Sequence, residues 1–234
     1  MASYKAPRII GAVFKLLLTV IVATVCGILI WRVFFSTNVP KSVAFLAPNA
    51  ALHEAYGEKG DAITLRYQNL ASITKAKKNY GYFSVTSAVF IPEAEQVQIV
   101  FRYNNSTIRH LQQDKGLATL PQKSEHLFDV TLVKTTDLTP ENKEDNLDES
   151  TLGKERIYPE AEPIRDETSL YTYYRYVFNG VTIEDVTDAI YVDVYYVGDL
   201  NYEEDAYGTL CIYAWDEKWI AYKPTKQDKS AMMG

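Results

Sequence analysis

The chain has 234 residues, 47% of them hydrophobic, with 24 Lys and Arg against 30 Asp and Glu for a net charge of −6. Its 11 Gly, 9 Pro and 2 Cys exclude fibrous, low-complexity and disulfide-scaffold classes, and the acidic balance argues against a nucleic-acid partner. The length fits one or two domains, and Tyr is the one unusual count, at 18 residues.

Charge divides the chain in two. No Asp or Glu precedes Glu54, and five cations do: Lys5, Arg8, Lys15, Arg32 and Lys41. The rest carries 19 cations against 30 acids. Residues 1–8 read as a cytoplasmic N-terminus and 9–35 as a transmembrane helix, with membrane lipid as its partner. From 9 to 31 the only charge is Lys15. Such a run, coiled as a helix, covers roughly 30 Å, the thickness of the hydrocarbon core. Lys15 is near enough to the start to reach the interface, and Trp31 and Arg32 suit the other one. The rival is a cleaved signal peptide. Against it, Trp31-Arg32-Val33-Phe34-Phe35 follows the run where small residues are needed. Val25 stands before Cys26 where a lipoprotein site needs a small residue. Three cations and the amino group before the apolar centre, against Arg32 and Lys41 after it, put the N-terminus inside and the body outside. No second long apolar run follows, so the expected protein is single-pass.

Residues 36–60 read as a juxtamembrane linker, with room for two helical turns over 49–56. The domain expected over 61–223 is mainly β. Period-two patterns run over 62–68, 82–91, 97–103 and 127–135, then 170–178, 189–197, 209–215 and 218–222. In 97–103, Val97, Ile99, Phe101 and Tyr103 alternate with Gln98, Val100 and Arg102. One polar and one apolar face mark half-buried antiparallel strands. Seven to nine short strands without long helices between them predict an antiparallel β-sandwich, immunoglobulin-like in its likeliest version, with an antiparallel barrel as the competitor. The acidic, proline-containing stretch 139–169 reads as an insertion loop, and 224–234 as a flexible C-terminal tail. Asn104-Asn105-Ser106-Thr107 holds two overlapping glycosylation sequons.

The chemistry-bearing motifs are few. Thr209-Leu210-Cys211 resembles the nucleophile strand of sortases, the cysteine transpeptidases of bacterial surfaces. The resemblance implies a nucleophilic Cys211, an upstream His110 or His126 and an oxyanion-stabilising arginine downstream. No arginine follows Arg175, and the residue normally found between the Leu and the Cys is missing. There is no Gly-x-Ser-x-Gly, no HExxH pair and no Gly-rich phosphate loop. The chain is therefore not expected to be an enzyme. With Cys26 in the apolar run, Cys211 has no disulfide partner in the body, which favours a bacterial envelope over a eukaryotic secretory route.

Two binding signals remain. Asp199, Asn201, Glu203 and Asp205 space oxygen ligands two apart in a turn, a spacing that suits Ca²⁺, although the EF-hand glycine is replaced by Glu204. In the tyrosine-rich strands, Tyr191, Asp193 and Tyr195 share one face, and Tyr171 and Tyr173 lie in the preceding strand. Exposed, these five would stack on sugars or receive a protein. The competing reading is cross-strand packing that supports the sheet. The expected function is a single-pass, envelope-anchored binding protein whose partner is another envelope protein or a cell-wall glycan. The alternative is a structural subunit of a larger envelope assembly for secretion, division or transport.

Overall fold

A computed structural model describes residues 6–69, 75–78, 82–135, 154–182, 189–199, 206–213 and 220–234. The chain forms two compact units, 1–38 and 39–234. The first is helix α1, Ala6–Thr37. Its stretch Val13–Trp31 has a mean hydropathy of 2.6 and none of it is buried, so one N-terminal helix is long and apolar enough to cross a membrane. The hydroxyls of Thr19 and Thr24 donate back to the carbonyls of Lys15 (2.9 Å) and Val20 (2.8 Å). Both polar groups are thus satisfied within the helix, as a lipid environment requires.

The second unit is mainly β. Helices α2 (Lys41–Ala44) and α3 (Ala50–Lys59) open it. The strands are β1 (Leu65–Asn69), β2 (Lys75–Lys78), β3 (Phe83–Ile91), β4 (Gln96–Asn104), β5 (Phe128–Thr135), β6 (Lys154–Ile157), β7 (Ile164–Glu167), β8 (Tyr171–Asn179), β9 (Ala189–Tyr196), β10 (Gly208–Tyr213) and β11 (Ile220–Tyr222). Helix α4 (Asn105–Lys115) follows β4, and α5 (Lys226–Met233) ends the chain. The six-stranded sheet runs β11-β1-β3-β4-β8-β7 and the five-stranded sheet β2-β10-β9-β5-β6. Every described pairing is antiparallel.

One apolar core draws on both sheets. The large sheet gives Val97, Ile99, Phe101, Tyr103, Tyr174, Tyr176 and Phe178; the small sheet gives Phe128, Val130, Leu132, Ile190, Val192, Val194 and Leu210. Phe128 reaches across, with ring centroids 5.0 Å from both Phe83 and Tyr103. The alternation of β4 is kept. That of β3 is not: Phe83 and Val85 face the common core together with Ala88 and Phe90, whereas Val89 and Ile91 face the opposite side. The register shifts between Val85 and Ser87, and one extra residue moves every later side chain to the other face.

That opposite side is also covered, because 39–60 packs on the body instead of forming a free linker. Leu46, Leu52 and Ala55 join Val89, Ile91, Leu65 and Met232 in a second cluster; Val43, Val100 and Tyr173 form a third. The polar anchor is Arg175, only 2% exposed. Its Nε donates to Val43 O (2.8 Å), Nη2 to Ala44 O (3.1 Å) and Nη1 to Gln98 Oε1 (3.1 Å). Burial lowers its pKa to about 10, so it stays charged at neutral pH. Gln98 in turn holds both backbone groups of Ala47, at 2.8 and 3.0 Å.

Residues 224–234 are likewise no tail. Thr225 and Asp228 form a capping box that starts α5, and Asp228 also accepts from Leu46 N (3.0 Å) and Tyr222 OH (2.6 Å). Within 139–169, residues 154–157 and 164–167 are strands; 139–153 lie outside the described residues. Asn104 of the sequons caps α4, accepting from Ser106 N (2.8 Å) and Thr107 N (3.1 Å).

Candidate functional site

A cavity of about 600 Å³ opens where the chain crosses from β6 of the small sheet to β7 of the large one. That size is ordinary for a small-molecule site. Its floor is Val130 and Thr131 of β5 with Tyr174 and Tyr176 of β8 and Tyr195 of β9. Its wall is the crossing segment, with Tyr158, Pro159, Ala161, Glu162 and Pro163. His126, Asp129 and Arg165 complete it. Two prolines restrict the backbone of the wall, and Glu160 N donates to Val177 O (3.0 Å), tying it to β8.

The cavity mixes aromatic surface with charge. His126 Nε2 lies 2.6 Å from Asp129 Oδ1, both about a third exposed, and the His126 ring meets the edge of Tyr174 at 5.5 Å. Tyr176 OH donates to Phe128 O (3.0 Å), and its pKa is raised well above the ordinary phenol value, chiefly by burial. Arg165 Nη2 donates to Lys123 O (2.6 Å) and Glu167 Oε2 (3.1 Å). Tyr195 is held by the Arg156 guanidinium, 5.9 Å from its ring. Burial, then the neighbouring Asp193, raises its pKa. The Thr131 hydroxyl is buried against that of Tyr195 and the Tyr174 hydroxyl against that of Tyr103, while Arg165 Nε is buried without a hydrogen-bond partner among the described residues.

The expected tyrosine surface is corrected. Tyr171 and Tyr173 belong to the large sheet, and Tyr191, Asp193 and Tyr195 to the small one, so they form no single face. Tyr173 is 0% exposed because 39–44 lies over it, and Tyr195 is 1% exposed. Tyr171 sits under the Arg102 guanidinium at 4.4 Å. Tyr191 is buried, and Asp193 accepts from Thr209 Oγ1 (2.8 Å) and Tyr195 OH (3.4 Å) inside the sheet. Of the five, only Tyr195 lines the cavity.

The calcium ligands fare differently. Asp199 is engaged by Lys115 Nζ at 2.6 Å, while Asn201, Glu203 and Asp205 lie outside the described residues. Among the described residues no cluster of His, Cys, Asp and Glu could hold a metal. Cys211 is in β10, paired with Tyr191 and Lys75. His110 stacks on Tyr82 at 4.5 Å, and His126 is a cavity residue. The wall residues 158–163 fall inside the stretch whose composition reads as an acidic loop; two prolines flanking Glu-Ala-Glu are the sequence's sign of a fixed segment.

No family model matches this chain, and neither a curated protein nor a solved structure matches it.

Proposed function

We propose that the chain is a single-pass envelope protein, N-terminus cytoplasmic, whose extracytoplasmic β-sandwich binds an envelope component through the cavity at the β6–β7 crossing. The observation that carries this reading is the cavity of about 600 Å³, lined by aromatic rings together with His126, Asp129, Glu162 and Arg165. Helix α1 supports the anchor, being apolar and exposed over 19 residues. The charge bias of Lys5, Arg8 and Lys15 supports the orientation. The sandwich, in its immunoglobulin-like version, is supported by a shared core and by the chain's path. Adjacent strand pairs β3–β4, β5–β6, β7–β8 and β9–β10 alternate between the sheets, as pairs do in that class.

The test is retention. Immobilised full chain is exposed to a solubilised envelope extract, and retained protein and glycan are measured separately. Wild type retains one of them, and Tyr158→Ala and Glu162→Gln lose it at unchanged Tm. Equal retention by wild type and both variants overturns the cavity as the binding site. Release of the chain by alkaline carbonate overturns the anchor.

A further inference from the structure

The β7–β8 ladder at the end of the large sheet has the cavity on one side and the segment 39–44 on the other. Its register pairs Ile164 with Arg175, Arg165 with Tyr174 and Asp166 with Tyr173. Paired residues share a face, and successive residues alternate. Ile164, Asp166, Tyr173 and Arg175 therefore lie on the outer face, under 39–44. Arg165 and Tyr174 lie on the inner face, and both line the cavity. The outer contacts are direct. Ser42 Oγ donates to Asp166 Oδ2, Ile164 packs on the cluster of Val43 and Tyr173, and Arg175 holds Val43 O and Ala44 O. On the inner face Arg165 Nη2 donates to Lys123 O (2.6 Å), in the loop that leads to His126.

Both sides of this divide are lightly held. Strand β7 has four residues, none of them fully buried, and β8 is its one neighbour among the described strands. Helix α2 buries only Val43. Elements with few buried contacts are the ones that open locally. The segment 39–44 is also the first stretch of the body after α1, which ends at Thr37. We propose that β7 is a relay: an occupant of the cavity displaces it from the inner face and so loosens 39–44 on the outer one. The state of the cavity is thereby passed to the stretch of chain that follows the apolar helix. The proposal rests on the reading of the cavity as the binding site and adds how its occupancy is reported.

The test uses a covalent occupant in the full chain in detergent. The chain carries Cys26→Ser and Cys211→Ser, with Asp129→Cys in the cavity lining. It is compared before and after reaction with pyrene maleimide, so that each variant is its own baseline. Hydrogen–deuterium exchange is read over 39–47, where the amides of Val43, Ala44, Leu46 and Ala47 are all hydrogen-bonded. The adduct speeds exchange there about tenfold, within the range for coupled sites, and leaves β4 unchanged. The adduct at His126→Cys, a second lining position, does the same. At Gln113→Cys, on α4 and outside the cavity, it has no effect. Ser42→Ala removes the hydroxyl that reaches Asp166 and cuts the effect of the Asp129→Cys adduct to less than about threefold. The relay is overturned if the adducts at both lining positions leave 39–47 unchanged. It is also overturned if β4 exchanges faster by the same factor, which is general destabilisation, or if Ser42→Ala keeps the whole effect. A failed relay with retention intact leaves the cavity as the binding site; failure of that site is read separately, in the retention experiment.

Discussion

At the scale of the residue, the buried polar groups of the body bind segments together. Arg175 is the clearest. Its planar fork reaches two carbonyls and an amide at once, and a lysine ammonium would serve as a point charge only. Arg175→Lys should therefore cost about 2 kcal/mol of stability, of the order of losing a charged hydrogen bond in the interior. Chemical denaturation of the two proteins measures it. Asp228 gives a pH signature. Burial acts to raise its pKa, but hydrogen bonds from Tyr222, Leu46 N–H and Thr225 outweigh it and hold the carboxyl below the usual carboxylate range. Its contribution is then fully present above the unfolded value of about 4 and is lost as pH falls through the lower folded value. Asp228→Asn should be less stable than wild type at pH 7, with the gap closing below about pH 4. A gap that is constant from pH 7 to pH 2 contradicts this role. Neither role was legible in the sequence. Arg175 sits among tyrosines in a strand pattern and Asp228 in an apparent tail, and the segment they hold, through Val43, Ala44 and Leu46, is 131 or more residues away.

At the scale of the element, period two carried far. The patterns at 97–103, 127–135, 170–178 and 189–197 all fall on strands, within a residue or two at each end. Side-chain direction was legible where the ladder is regular, as in β4, and failed in β3 at the register shift after Val85. The short strands β2, β6 and β7, of four residues each, carry too few alternations to read. Helix α4 shows no clear apolar period, because only Thr107, Ile108 and Leu111 are buried in its 11 residues. The spacing of the tyrosine strands is legible in the sequence and their surroundings are not. Exposure of one sheet face depends on what crosses it, and 39–47 crosses the large sheet. Helix α5 has a consequence of its own. Removing 225–234 takes away Asp228 and Met232, which hold Leu46 and complete the second cluster. Deletion should lower stability by about 2–5 kcal/mol, the range for losing a buried Met-sized side chain. It should also open 45–60 to limited proteolysis, read by mass spectrometry. Unchanged protection of that stretch contradicts the packing described.

At the scale of the molecule, the chain joins an apolar helix to a body whose large sheet is covered on both faces and which carries an open cavity. The apolar helix was legible from hydropathy alone, since 9–31 admits a single charge. The cavity was not, because its lining comes from β5, β7, β8, β9 and the β6–β7 crossing, brought together only by the exchange of strand pairs between sheets. The central claim is that this cavity faces the extracytoplasmic side. It is tested most directly by a single cysteine at the exposed wall position, Glu162→Cys, in a chain also carrying Cys26→Ser and Cys211→Ser. A membrane-impermeant maleimide is applied to cells with the cytoplasmic membrane sealed, and then to permeabilised cells. Full labelling before permeabilisation is the predicted result; labelling that appears only afterwards would put the cavity in the cytoplasm and contradict the account.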